Sequence, residues 1–265
     1  ATPIPRSLAL TLYGEMDVSV LSQKPKDRKP PKTEIFIKEN REKVYKKLST
    51  HIAAGNQAFV VCPQIEEDDA LSTKSVINVY EELSRKYLHT HKHGLLHGKL
   101  TADEKKSVMQ QFIDKEIDVL VTTTVIEVGV DVPNANYMVI ENADNFGLAQ
   151  LHQLRGRVGR GTKQAYCWLL LSSNDNPSKR IQVIKHEHDG FKLAEYDLEL
   201  RGPGAIYGTL QHGELDLRVA KLTDVQLIQS ARLAAQKFVA SKESLVEYPE
   251  LHRQVNNLRS ITNLN

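Results

Sequence analysis

The chain has 265 residues, 40% hydrophobic and 26% charged, which is enough for one large domain, or one domain with an appendage, around a substantial core. Its net charge of +2 permits a nucleic-acid partner but does not by itself indicate one. The sequence has no apolar run of membrane-spanning length and no signal-peptide pattern, so we expect no membrane partner. The two cysteines, Cys62 and Cys167, lie in apolar runs and predict buried thiols of a cytosolic protein rather than a disulfide or a metal pair.

The first 32 residues are predicted to be the end of a preceding unit followed by a linker. The sequence opens with ATPIPRSLAL, without an initiator Met, and we expect the chain to begin inside a folded unit. Residues 22–33 are rich in Pro and Lys, which is typical of an extended linker or loop.

Residues 33–175 alternate between short apolar runs and amphipathic stretches. Gly55 predicts the end of one helix, and Thr101 with Glu104 forms a capping box at the start of another. The predicted strands are 33–37, 57–63, 94–98, 117–123, 136–142 and 165–172, and the predicted helices are 39–55, 72–88 and one that begins after Thr101. Apolar strands that alternate with helices predict a doubly wound α/β domain, with a parallel sheet covered by helices on both faces. Functional residues are then expected on loops at the carboxyl ends of the strands.

After residue 175 helical stretches continue without a strong strand, which predicts a C-terminal helical appendage. Thr223 and Gln226 form a second capping-box pattern. The predicted helices are 176–188, 190–200, 223–241 and 249–259. The predicted domains are 1–32, 33–175 and 176–265.

The stretch QLHQLRGRVGRG concentrates Arg155, Arg157 and Arg160 around two glycines. On a helix, Arg157 and Arg160 at i, i+3 point the same way. Paired guanidiniums suit the γ-phosphate of a nucleotide, where bidentate contact and fixed charge stabilise the transition state. The alternative is a solvated basic helix end that interacts with the helix dipole.

The same stretch predicts a helix that is capped by Asn145 or Asp144 and ends at Gly161. Gly156 and Gly159 would each lower the stability of such a helix by about 1 kcal/mol relative to Ala. Glycines that weaken a helix usually allow the backbone to approach a ligand or another domain closely.

Four segments, which are spread between residues 1 and 213, resemble known motifs in the expected order. They are ATPIPRSLA (end of motif III), VTTTVIEVGVDVPNA at 121–135 (motif V), QLHQLRGRVGRG at 150–161 (motif VI) and HDGFKLAEYDLELRGPGAIYGTLQHG at 188–213 (translocation motif). Motifs III, V and VI are those of superfamily 2 helicases, and the last segment is similar to the motif shared by RecG and the transcription-repair coupling factor. The details VGVDVPNA and LRGPG favour the RecG family, which implies a RecA-like second motor lobe of the P-loop NTPase type.

The resemblance also implies roles for particular residues. Arg157 and Arg160 would be the catalytic arginine fingers; the other implied residues are Gly129, Asp131 and Gln153 (nucleotide), His97, Thr122, Thr123 and Thr124 (DNA), and Glu195, Arg201 and Gln211 (translocation coupling). From the residues alone, the three threonines after a strand offer hydroxyls and amides to a phosphate, or they cap the next helix. Without the resemblance, the turn at Gly129 and Asp131 is equally consistent with an ordinary loop. The acidic residues and the arginine of 188–213 are then equally consistent with local ion pairs on the surface.

Patterns for ATP and metal binding are incomplete. GLLHGKL (94–100) has too few residues between its glycines for a P-loop and no Ser or Thr after Lys99. DEKK (103–106) follows no apolar strand, so it is not a Walker B box. His89, His91, His93 and His97 have no Cys or carboxylate to complete a zinc site, and we expect no metal ligands in this chain. ATP and Mg²⁺ are therefore expected to be held mainly by an N-terminal motor lobe, and the isolated chain is expected to be inactive.

The predicted function is the C-terminal motor lobe of an ATP-dependent DNA helicase that remodels branched DNA, by fork reversal and Holliday junction migration. The expected partners are branched or forked DNA, the N-terminal motor lobe and wedge domain of the same protein, and a single-stranded DNA-binding protein. The expected location is the bacterial cytoplasm, in association with the nucleoid. Two alternatives are the translocase lobe of a transcription-repair coupling factor and a nucleic-acid-binding module without catalysis.

Overall fold

The structure, a computed structural model, describes residues 29–63, 69–123, 132–159, 161, 163–201 and 225–262. The side chains of residues 69–71, 73, 198, 201, 225, 228 and 257–262 are outside this description. The chain forms two compact units, with the boundary between Leu193 and Ala194. The predicted division after residue 175 was based on the loss of strands, and it stays a prediction.

Six parallel strands form one sheet in the first unit, in the order β1-β6-β5-β2-β4-β3. The strands are β1 (Lys32–Phe36), β2 (Gln57–Val61), β3 (His93–Leu96), β4 (Val119–Thr122), β5 (Ala135–Ile140) and β6 (Tyr166–Leu170). Every neighbouring pair is parallel. All six predicted strands are confirmed.

The helices of the first unit cover both faces of the sheet. They are α1 (Arg41–Ala53), α2 (Asp69–Glu82), α3 (Ala102–Ile113), α4 (Leu148–Arg155) and α5 (Lys179–His186), followed by α6 (Gly190–Arg201), which crosses the unit boundary. In β2, Phe59 and Val61 belong to one core cluster while Ala58 and Val60 belong to the other, because successive strand residues point to opposite faces.

One core cluster joins the sheet to α3, α4 and α5, and the other joins it to α1 and α2. Phe112, Leu151 and Ile181 represent the first cluster, and Leu48 and Val76 the second; all five are almost completely buried. The predicted fold class, a doubly wound parallel sheet covered on both faces, is confirmed.

Two predicted helix ends agree with the structure. Thr101 Oγ1 accepts a hydrogen bond from the backbone N–H of Glu104, and Glu104 Oε2 accepts one from the N–H of Thr101, which completes the capping box of α3. Gly55, with a φ of +85°, follows the end of α1 and supplies the left-handed residue that commonly ends a helix.

The second unit is helical in its described part, which contains α7 (Val225–Ser241) and α8 (Pro249–Thr262). Phe238 of α7 packs edge-to-face on Tyr248, at 5.2 Å between ring centroids. No strand follows Leu170 within the described residues, so the predicted helical appendage is confirmed. Thr223 of the second predicted capping box lies outside the described residues. No helix in the described part of the chain is long and apolar enough to cross a membrane.

Candidate functional site

The carboxyl ends of the parallel strands meet at one edge of the sheet, and His97, Thr122 and Thr123 lie together there. Leu96 of β3 pairs with Thr122 of β4, so His97 and Thr123 follow neighbouring strand ends. The N–H of Thr123 donates to the carbonyl of Leu96 at 3.3 Å. The structure therefore brings together three of the residues predicted to contact DNA.

Thr122 and Thr123 are buried, at 0% and 3% exposed. The Thr122 hydroxyl donates to the carbonyl oxygen of Thr123 at 2.8 Å. Its hydroxyl is thus used within the chain, and Thr124 lies outside the described residues. Phosphate binding by these threonines stays a prediction.

His97 is half-buried at the end of β3, in a basic environment. Burial, followed by the positive charges of Lys105 and Lys99, lowers the pKa of His97, and Glu104 offsets this in part. The imidazole is therefore neutral near pH 7. Within the part of the chain that the structure describes, its buried Nδ1 has no hydrogen-bond partner. This loop presents a neutral imidazole close to two ammonium groups, which is compatible with contact to a phosphate backbone.

The arginine-rich stretch begins on α4, but the predicted cap and end of this helix are wrong. Its N-cap is Gly147, whose N–H donates to the side chain of Gln150 at 3.0 Å. A 3₁₀ turn over Ala143–Asn145 and an extended Phe146 separate the predicted caps from the helix. Asp144 instead accepts hydrogen bonds from the N–H and hydroxyl of Ser172 after β6.

Arg155 is the last residue of α4 and is only 3% exposed. One guanidinium nitrogen donates to the carbonyl oxygen of Ile184 in α5 at 2.7 Å, and another lies 3.0 Å from Nδ1 of His152. Burial lowers the pKa of Arg155, and the nearby Cys167 and Glu187 partly offset this effect. Arg155 therefore joins α4 to α5 inside the protein.

Arg157 lies in the turn after α4, and its N–H donates to the carbonyl of Leu154 at 2.9 Å. The prediction that Arg157 lies on the helix is wrong, because the helix ends at Arg155. The side chain of Arg157 is half-buried, and Arg160 lies outside the described residues. Their role as arginine fingers stays a prediction.

The glycines of this stretch allow close approach, but to the chain itself. Gly159 has a φ of +73°, and a Cβ atom there would lie 2.8 Å from Cβ of Ala165. A Cβ at Gly161 would lie 2.8 Å from the carbonyl oxygen of Pro133. These positions therefore require glycine for the path of the backbone.

The other predicted site residues have less structural context. Gln153 of α4 and Glu195 of α6 are half-buried, and Arg201 ends α6 with its side chain outside the described part. Gly129, Asp131 and Gln211 also lie outside the described residues. The roles of all six stay predictions.

A charged cluster at the end of β5 was missed from the sequence. Glu141 Oε1 accepts a hydrogen bond from Nε of Arg41 at 2.8 Å and one from the hydroxyl of Tyr45 at 2.5 Å. Arg41 also pairs with Glu82 at 3.0 Å. Arg41 and Glu141 are 100 residues apart in sequence, so no spacing rule indicates the pair.

The carboxylates at this edge do not fit a Mg²⁺ site. Glu141 accepts bonds from Arg41 and Tyr45, and Asp144 accepts bonds from Ser172. Among the described residues, no group of three His, Cys, Asp or Glu side chains is arranged to hold a metal ion. We therefore assign no magnesium ligand to them.

Comparison with protein families gives two matches. Residues 39–162 match the model of the helicase conserved C-terminal domain. Residues 187–265 match the model described as ATP-dependent DNA helicase RecG, domain 3, C-terminal.

Two curated relatives are more than 40% identical to the chain over the aligned residues. A RecG of Thermotoga maritima is 48% identical over 234 residues, which are 88% of this chain and 30% of the relative. A RecG of Synechocystis sp. is 44% identical over 253 residues, or 95% of this chain and 30% of the relative. The chain thus spans less than a third of the length of these relatives.

A solved structure supports the same relationship. The structure of RecG bound to a three-way DNA junction has a TM-score of 0.68 to this chain and 43% sequence identity. The match covers 88% of this chain and 30% of that one.

Proposed function

The chain belongs to the RecG family of ATP-dependent DNA helicases, and we propose that it acts as the C-terminal motor lobe and translocation region of a helicase that remodels branched DNA. In this proposal residues 33–175 form the lobe and residues 176–265 the coupling region, with residues 1–32 leading in from a first lobe. The observation that carries the proposal is the order of the two family matches, 39–162 and then 187–265. The second of these families is specific to RecG.

The chemical role proposed for the lobe is to complete a nucleotide site held mainly by another lobe. ATP and Mg²⁺ would bind to a P-loop and to an Asp-Glu pair at the end of an apolar strand, and neither pattern is present in this sequence. Arg157 and Arg160 would contact the γ-phosphate from the opposite side, with Gln153, Gly129 and Asp131 near the nucleotide. Arginine fingers contribute about 10³–10⁵-fold in rate in other phosphoryl-transfer systems.

DNA contact is proposed for His97 and for Thr122, Thr123 and Thr124. The adjacency of His97 and Thr123 at the ends of β3 and β4 supports this edge of the sheet as the place of that contact. Glu195, Arg201 and Gln211 are proposed to couple nucleotide-driven closure to movement on duplex DNA. That a related RecG was solved on a three-way junction supports branched DNA as the substrate class.

The proposed partners are branched DNA, an N-terminal motor lobe with a wedge domain, and a single-stranded DNA-binding protein. Fork reversal and Holliday junction migration are the proposed activities, in the bacterial cytoplasm at the nucleoid. The bacterial origin of the relatives supports this location.

The test is ATP-dependent unwinding of a three-way junction by a full-length RecG-type protein that carries this region. We expect unwinding that is lost in Arg157→Ala, because the γ-phosphate loses a guanidinium. Displacement of stalled RNA polymerase without unwinding of junctions would favour a transcription-repair coupling factor instead. DNA binding that is indifferent to nucleotide, without hydrolysis, would indicate a non-catalytic module.

A further inference from the structure

We propose that the cluster of Arg41, Tyr45, Glu82, Tyr87 and Glu141, here called the Arg41–Glu141 cluster, is a positioning element for the segment that leads from β5 to Arg157. The inference rests on the proposed function, because that segment matters for activity only in a motor lobe. The residues of the cluster do not touch the nucleotide in this proposal. They fix the backbone at the start of the segment that leads from β5 to Arg157, which is here called the arginine segment.

The central pair of the cluster, Arg41 and Glu141, is largely buried and closely bonded. The side chain of Glu141 is 7% exposed and that of Arg41 is 20% exposed. Burial alone would lower the pKa of Arg41, but Glu141, Tyr45 and Glu82 more than offset it and the pKa is raised. Burial and then the carboxylate of Glu141 raise the pKa of Tyr45 well above its usual value. Arg41 therefore stays positively charged beside Glu141, and the neutral hydroxyl of Tyr45 donates to the same carboxylate.

Glu141 occupies the junction between the sheet and the arginine segment. It is the residue after β5, and its N–H donates to the carbonyl of Val61 in β2 at 2.8 Å. The next residue, Asn142, has a left-handed backbone with a φ of +48°, which is uncommon for a residue with a side chain. The chain then turns through Ala143–Asn145 into α4, which ends two residues before Arg157. The side chain of Glu141 is thus held where the backbone changes direction.

A second irregular backbone segment lies on the other side of the cluster. Directly after α2, Leu83–Tyr87 forms a π-helical turn. Tyr87 stacks on Tyr45 with 5.8 Å between ring centroids, and the Arg41 guanidinium lies 5.9 Å from the Tyr87 centroid. π-helical turns and left-handed non-glycine residues are both concentrated at functional sites. They are strained, so they persist only where the surrounding structure holds them in place.

The presence of an ion pair here, rather than apolar side chains, also indicates that the cluster has a positioning role and not only a stabilising one. Buried ion pairs often stabilise a protein no more than apolar residues of the same volume would. What a fully bonded ion pair adds is a fixed geometry, since both partners must meet at defined angles. This one fixes the first turn of α1 and the end of α2 against the residue from which the arginine segment begins.

The experiment uses a full-length RecG-type protein that carries this region, with Glu141→Gln, Arg41→Gln and the double variant. Leu48→Ala is the matched control, because Leu48 is fully buried in the same core cluster but lies outside the Arg41–Glu141 cluster. Melting temperature, hydrogen exchange of residues 142–157, and kcat and KM for junction-stimulated ATP hydrolysis are measured for each variant.

Both single variants are expected to speed hydrogen exchange in residues 142–157 and to lower kcat by about tenfold or more, since a small misplacement can cost ~10²-fold. The KM for ATP should change by less than about twofold. The double variant should be no worse than the single variants, because the pair acts as one unit. Leu48→Ala should lower the melting temperature without these effects.

The experiment distinguishes failure of the positioning inference from failure of the proposed function. If exchange in residues 142–157 and kcat follow the melting temperature equally in all variants, including Leu48→Ala, the cluster is only stabilising and the inference is wrong. If the unsubstituted protein hydrolyses no ATP with junction DNA, the proposed function fails. The exchange measurement still decides whether Glu141 positions the segment.

Discussion

At the residue scale, Arg155 and Arg157 are close in sequence but lie in different environments. Arg155 is enclosed and donates to a backbone carbonyl of α5, whereas Arg157 is half-buried in the turn beyond the helix. In the sequence both belong to the same stretch rich in Arg and Gly. The distinction depends on Ile184, 29 residues further along the chain, and no local pattern in the sequence encodes it.

The first prediction separates these two arginines. Arg155→Ala should lower the free energy of unfolding by about 1–3 kcal/mol, because the buried carbonyl of Ile184 loses its donor. Arg157→Ala should lower the free energy of unfolding by less than Arg155→Ala does. In a full-length protein Arg157→Ala should also abolish ATP hydrolysis. Chemical denaturation of both variants measures the difference. Equal loss of stability would show that Arg155 has no special structural role.

The second prediction concerns the pH dependence of stability. Burial and then His91 lower the pKa of His93, and Asp118 offsets this in part. The unfolded chain therefore binds this proton more readily, so the contribution of His93 to stability is present above about pH 6.5 and is lost as pH falls through the folded pKa. His51 and His97, whose pKa values are lowered first by burial, contribute with the same sign.

His93→Gln should therefore reduce the slope of unfolding free energy against pH between about pH 7 and pH 5. The measurement is urea denaturation over this range, with the unsubstituted protein as reference. An unchanged slope would mean that His93 titrates alike in the folded and unfolded chain.

At the element scale, the strands were predictable and the end of α4 was not. The four inner strands, β2, β4, β5 and β6, are largely apolar runs, as expected for a sheet buried on both faces, and this signal is local. The path of the backbone after α4 depends on Gly159, which has a positive φ and packs against Ala165 and Pro31. These contacts are non-local, so composition alone extended the helix to Gly161.

The third prediction tests this account of Gly159. Gly159→Ala should destabilise the protein more than Gly55→Ala, by about 1–3 kcal/mol, because overpacking adds to the backbone strain. Gly55 is the matched control, since its φ is also positive, at +85°, but a Cβ there would meet no atom within 4 Å. Thermal or chemical denaturation of both variants gives the comparison. A larger loss for Gly55→Ala would contradict the assigned contact with Ala165.

The Arg41–Glu141 cluster belongs to the same scale. It joins two helices, a π-helical turn and a strand end through partners far apart in the chain. Glu141→Gln and Arg41→Gln are expected to slow ATP hydrolysis as one coupled unit. Sequence patterns favour neighbours three or four residues apart on a helix, so they do not indicate such a cluster.

At the scale of the whole molecule, the motifs identified the family because they occur in order over nearly the whole chain. The two family matches, to the helicase C-terminal domain and to RecG domain 3, agree with that reading. The positions of individual site residues were less predictable, since several of them depend on turns and on contacts between elements. We propose that this lobe completes a nucleotide site whose P-loop lies on another lobe.

The most direct test is ATP hydrolysis by the purified chain, with and without forked DNA, before and after a RecG-type first motor lobe is added. We expect no hydrolysis by the chain alone, because its sequence contains no P-loop. Activity should appear when the first lobe is supplied and should disappear again in Arg157→Ala or Arg160→Ala. Hydrolysis by the chain alone would contradict the account, because it would require a complete nucleotide site within these 265 residues.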